Sequence, residues 1–96
     1  MLLAVTYTAR NPTEETQKRS LRLFTNWTPP SALNFRAHYA FTEGGIAIVE
    51  TDTATALIEA ISLFAPFFEF KTIPVMDIME AVPVLQRVNN WRDSVR

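Results

Sequence analysis

Residues 35–52 read FRAHYAFTEGGIAIVETD. Phe35, Ala37, Tyr39 and Phe41 alternate with Arg36, His38 and Ala40, and after Glu43-Gly44-Gly45 the residues Ile46, Ile48 and Glu50 alternate with Ala47 and Val49. A period of two marks strands, and glycines between two such runs mark a hairpin. The chain has two glycines and both lie here. Glycine tolerates the positive φ that a tight hairpin turn calls for, so the turn is expected at Glu43, Gly44 and Gly45. A loop of two or four residues sets Tyr39 and Phe41 on one face with Ile46 and Ile48. It sets Arg36 and His38 on the other face with Ala47 and Val49, and a three-residue loop exchanges these faces.

Working outward, Leu2 to Thr8 alternates loosely, with Leu3, Val5 and Tyr7 on one side and Leu2, Ala4, Thr6 and Thr8 on the other, and predicts a strand. Asn11-Pro12 ends it, because proline cannot donate to a ladder. Thr13 opens a helix, with Gln17 nearby and Glu14 and Glu15 at the positive end of the dipole. Leu21, Leu23, Phe24 and Trp27 form its apolar stripe, and Pro29-Pro30 stops it. Beyond the hairpin, Asp52 or Thr53 caps a second helix whose stripe is Ala54, Leu57, Ile58, Ile61, Phe64 and Ala65. Phe67 to Val75 is a fourth strand, with Phe68 and Phe70 on one face and Glu69 and Lys71 on the other; Pro74 near its end suits an edge. Asp77 and Glu80 have capping-box spacing, and Pro83 predicts a short turn before a helix over 84–93.

The order β-α-β-β-α-β with a C-terminal helical appendage is that of an α+β, ferredoxin-like fold, in one domain spanning 1–96. Two right-handed crossovers put both helices on one face of a four-stranded antiparallel sheet. The other face needs a cover, and the sheet of a second copy supplies it in a dimeric α+β barrel. Phe35, Tyr39, Phe41, Ile46 and Ile48 are then expected beneath the helices, and Arg36 and His38 on the face towards the second subunit.

Composition narrows the function classes. Nine Lys/Arg stand against ten Asp/Glu, which sets up no field for nucleic acid or an anionic membrane. The absence of cysteine excludes disulfides, thiol catalysis and thiolate metal sites, and fits a cytoplasmic protein. MLLAVTYTAR has no basic region before its apolar run and does not read as a signal peptide. Ala60 to Phe70 is too short to span a bilayer. At 48% hydrophobic, a chain of 96 residues has more apolar surface than one subunit hides, which predicts a homodimer.

The runs RLFTNWTPPSALNFRAHYAF, EGGIAIVETD and APFFEFKTIPVMDIMEAVPV resemble an uncharacterised small-protein family, domain of unknown function 3303. The resemblance rests on a Trp-x-Pro-Pro-like break, a His-Tyr strand, the glycine hairpin, a Val-Glu strand end and a Pro-Val-x-Asp tail, and covers nearly the whole chain. It implies a ferredoxin-like dimeric barrel and no activity.

His38 is the leading candidate for chemistry, since imidazole titrates near neutrality. With Arg36, Thr6 and Glu69 it is expected to line an inter-sheet cavity suited to a small polar or anionic molecule. A lone histidine outside a spacing motif more often makes an ordinary hydrogen bond. Trp27, braced by Pro29-Pro30, is either a wall at the pocket mouth or core at the helix end. Glu50 and Asp52 could work as paired carboxylates, but helix capping and an arginine partner such as Arg22 are the commoner use. The residues therefore predict a homodimeric barrel that binds a small ligand or serves as a non-catalytic assembly module, with no cofactor and no metal. The alternative is a cofactor-free enzyme of the monooxygenase or isomerase kind, with His38 as general base and Arg36 steadying an oxyanion.

Overall fold

The computed structural model describes residues 1–95. Strands β1 (Leu2–Ala9), β2 (Asn34–Phe41), β3 (Gly44–Glu50) and β4 (Phe68–Val75) alternate with helices α1 (Glu14–Thr25) and α2 (Ala54–Phe64), and α3 (Ile78–Ser94) follows. The sheet order is β2-β3-β1-β4, every neighbour antiparallel. This is the ferredoxin-like α+β arrangement, and Pro74 does lie on an edge strand. Among the described residues no helix is long and apolar enough to cross a membrane.

The helix starts follow their local chemistry. Thr13 caps α1, accepting from the Thr16 amide at 3.1 Å, while Thr16 Oγ1 accepts from the Thr13 amide at 2.8 Å. The reciprocal partner is thus Thr16, one residue short of Gln17. Thr53 caps α2 and Asp77 caps α3. Pro83 does not break the third helix, which runs unbroken from Ile78 to Ser94. Proline removes one amide donor and crowds the carbonyl four residues back; α3 is exposed around Pro83, so water can serve that carbonyl.

The hairpin turn is Thr42-Glu43, with Phe41 opposite Gly44. Neither glycine has a positive φ; Asn11 alone does among the described residues. The glycines belong to β3 for a different reason, given below. Cross-strand partners are those of a two-residue loop, with Tyr39 opposite Ile46 and His38 opposite Ala47.

The expected assignment of hairpin faces to the helices is reversed. The core consists of Leu3, Val5, Leu33, Ala47, Val49 and Ala56, so Ala47 and Val49 lie beneath the helices together with His38. Tyr39, Phe41, Ile46 and Ile48 take the open face, and Tyr39 is 68% exposed. Both faces of the hairpin carry apolar residues and each carries a polar one, Glu50 in the row of Ile46 and Ile48 and His38 opposite Ala47, so its own pattern could not choose between them. The choice is made by β1, whose Leu3 and Val5 pair with Val49 and Ala47. On β1 and β4 the polar residues Thr6, Thr8, Glu69 and Lys71 mark the open face, as read.

The helices sit high on the sheet. No residue of α1 is buried, and Leu21 and Phe24 are 62% and 46% exposed. In α2 only Ala56 and Phe64 are buried, while Ile58, expected in the stripe, is 63% exposed. The space left between helices and sheet forms the cavity.

Candidate functional site

A cavity of about 650 Å³ opens between α1, α2 and the covered face of the sheet. That volume falls inside the range of small-molecule sites, roughly 300–1,000 Å³. Its walls are aromatic. Trp27 stands edge-on to Phe64 (centroids 5.2 Å apart, 77°) and to Phe35 (6.5 Å, 89°). Phe68 and Phe70 pack against Tyr7 from β4, at 5.2 and 5.7 Å. Such edge and tilted pairs hold one another in place through ring quadrupoles as well as burial.

Gln17, Ser20, Thr42 and Glu43 also reach the cavity, and one side chain–side chain hydrogen bond joins two of its lining residues. Tyr7 Oη lies 2.6 Å from His38 Nε2. The two residues are on β1 and β2, with β3 between them. The phenol reaches across β3 because its partner on that strand is Gly45. A Cβ at Gly45 would collide with the Tyr7 ring and hydroxyl and come within 2.8 Å of the Tyr39 carbonyl oxygen. A Cβ at Gly44 would meet the Tyr7 carbonyl. The glycine pair therefore serves close approach, and gives the tyrosine its path to the histidine.

A bulge positions the histidine. The β2–β3 register shifts between Phe35 and Ala37, so that Phe35 and His38 share a face although three residues apart. Their rings stack at 5.7 Å and 21°, and Phe24 from α1 meets the imidazole edge-on at 5.9 Å. Burial pushes the imidazole below its ordinary pKa of 6.5 and the Tyr7 phenol above its ordinary 10.0. Both groups are thus neutral at pH 7, and the contact is a hydrogen bond whose donor, phenol or imidazole, is set by the histidine tautomer.

The same bulge separates His38 from Arg36. The Arg36 guanidinium turns to the open face, where Nε donates to Glu50 Oε2 at 2.9 Å and a second donor, Nη2, reaches the same oxygen. Glu50 is therefore on the open face and not under the helices, and its partner is Arg36, not Arg22. Thr6 and Glu69 also lie on the open face. Of the expected site residues, the structure brings His38 and Trp27 together around one cavity and leaves Thr6, Arg36 and Glu69 on the opposite side of the sheet. Among the described residues no three His, Cys, Asp or Glu side chains gather as a metal site. Tyr7 is the residue that sequence reasoning passed over; the available signal was an aromatic facing a glycine across a strand pair.

The depressed His38 pKa carries a stability consequence with a definite sign. The unfolded chain takes up a proton near pH 6.5, whereas the folded chain resists it to lower pH. Stability therefore rises with pH across that window and is lost as pH falls below about 6.5. Urea midpoints of the wild type, measured from pH 7.5 down to 5, should fall more steeply than those of His38→Gln; parallel curves would show that burial does not act on this imidazole.

A family model described as a domain of unknown function, DUF3303, matches residues 1–89. No curated protein matches the chain.

Proposed function

The chain belongs to that family of unknown function, and we propose that its helix-side cavity binds a small, largely apolar, neutral molecule carrying one hydrogen-bonding group. The carrying observation is the Tyr7–His38 pair, a polar point set among the aromatic rings of a cavity of about 650 Å³. The one formal charge in the lining is Glu43, at the hairpin end, and no cation is present to hold an anion. This moves the expected ligand from polar or anionic to apolar, and from the inter-sheet space to the helix side. The cysteine-free composition suits this work in the cytoplasm.

A second reading, a cofactor-free enzyme with His38 as base, draws on the neutral imidazole. Nε2 is engaged by Tyr7, so Tyr7 and not Arg36 would be the second group, passing its proton to the ring. Turnover of a bound molecule that is lost in His38→Gln without loss of binding would favour it.

Calorimetry with 4-propylphenol and propylbenzene tests the binding reading. A hydrogen bond at the polar point should favour the phenol by about tenfold. The double variant Tyr7→Phe/His38→Leu should erase that preference and keep propylbenzene affinity. Ala60→Trp, which fills the cavity, should abolish both. If neither compound binds the wild type with a Kd below about 1 mM, the reading fails.

A further inference from the structure

The open face of the sheet carries an uncovered apolar stripe, bordered by Thr6, Lys71 and the Arg36–Glu50 pair, and α3 carries an uncovered apolar face. Across the sheet, Ile48 and Ile73 flank Ala4 in one row, and Tyr39 pairs with Ile46 in the next. Ile73 is 51% and Phe41 49% exposed. On α3, Ile78, Ala81, Leu85 and Val88 recur at the 3-4-3 spacing of one helix face, and Trp91 extends it. Ile78, Leu85 and Trp91 are 68%, 52% and 69% exposed, and α3 buries no residue.

Helices of this length are marginal in water without tertiary packing, and Pro83 weakens this one further. It leaves β4 after two residues, Met76 and Asp77, and extends the chain to 57 Å in its longest dimension. The radius of gyration is 17.3 Å, against about 12.5 Å for a compact domain of this length.

Area identifies the partner. The chain exposes 7382 Å², whereas a compact monomer of 10.9 kDa exposes roughly 5,600 Å². The excess is about 1,800 Å² per chain, or about 3,600 Å² for a pair, inside the range of obligate homodimers. One arm and one face per chain are the two halves of an isologous, twofold contact.

We propose that α3 is an exchanged arm: the Ile78, Leu85, Val88 and Trp91 face of one copy lies on the Tyr39, Ile46, Ile48 and Ile73 face of a second, and the reverse. The sheets then do not meet face to face; each is covered by the partner's helix. This assembly leaves the cavity on the far side of the sheet accessible in both copies.

The chain has no cysteine, so single introduced thiols report contacts without background. Under mild oxidation, Leu85→Cys alone and Ile48→Cys alone should remain uncrosslinked, and an equilibrated mixture of the two should give a covalent dimer. Self-crosslinking of Ile48→Cys would mean sheet against sheet. Self-crosslinking of Leu85→Cys would mean arm against arm. A Leu85→Cys/Ile48→Cys chain that closes on itself as a monomer would mean an arm folded back. Any of these three overturns the proposal. Light scattering should give the wild type twice its 10.9 kDa, and a monomeric wild type at micromolar concentration also overturns it. Trp91→Glu should raise the dimer dissociation constant about 30-fold or more, with the β-sheet circular dichroism unchanged because Trp91 is 69% exposed in its own chain, on a helix that buries no residue.

Discussion

Gly45→Val is expected to destabilise the protein by about 2–3 kcal/mol, which is roughly 10–20 °C in Tm for a domain of this size. Valine suits a strand better than glycine, so a local account predicts a gain of up to about 1 kcal/mol. The tertiary account has the opposite sign. The first side-chain carbon at position 45 falls on the Tyr7 ring and hydroxyl, and the Tyr39 carbonyl behind it is backbone that cannot swing aside. Tyr7 must leave its place over β3, and the 2.6 Å contact with His38 goes with it. The variant should therefore also lose the preference for 4-propylphenol over propylbenzene. Combining Gly45→Val with Tyr7→Ala should recover part of the stability, since the colliding ring is gone. Additive losses in that double-mutant cycle would show that the two positions do not meet as described.

Phe64→Ala should cost about 3 kcal/mol, the lower end for a buried phenylalanine, because one side of the ring borders the cavity. Ile58→Ala on the same helix should change stability by less than about 0.5 kcal/mol. Periodicity puts both residues in the same stripe. Burial separates them: Phe64 is 7% exposed and wedged between Phe24 and Trp27, while Ile58 is 63% exposed. Urea midpoints of the two variants decide the matter, and equal losses would mean that α2 is seated on the sheet differently.

The contrast between Phe64 and Ile58 shows why a helical stripe was only half informative. Apolar spacing says that one side of α2 is buried, but how deeply each position sinks depends on the height of the helix above the sheet. That height is set by the aromatic rings propped between them. The strands show a similar division. Thr6, Glu69 and Lys71 disclosed the open face of β1 and β4 because a charge or hydroxyl among apolar neighbours points to water. In the hairpin the markers conflict: Glu50 shares the row of Ile46 and Ile48, while plain alternation puts Arg36 and His38 in the row of Ala47 and Val49. The bulge at Arg36 left no periodic trace, yet it puts Phe35 and His38 on one face and sends Arg36 to Glu50. His38 was legible as the residue to watch from its chemistry alone. Its companions were not, because a cross-strand neighbour two strands away is fixed by register.

By itself the sequence determined the order of the elements, the cap at Thr13, a helix start at Asp52 or Thr53 and, through right-handed crossovers, a four-stranded antiparallel sheet with both helices on one face. These follow from interactions within a few residues and from backbone handedness. Tertiary structure alone decided which face of β2 and β3 lies under the helices, and so that His38 meets Tyr7 in an apolar cavity instead of meeting Arg36 on the open side. The reason is physical: a strand apolar on both sides satisfies the hydrophobic effect equally well either way up, and only its pairing with a strand that is polar on one side breaks the tie.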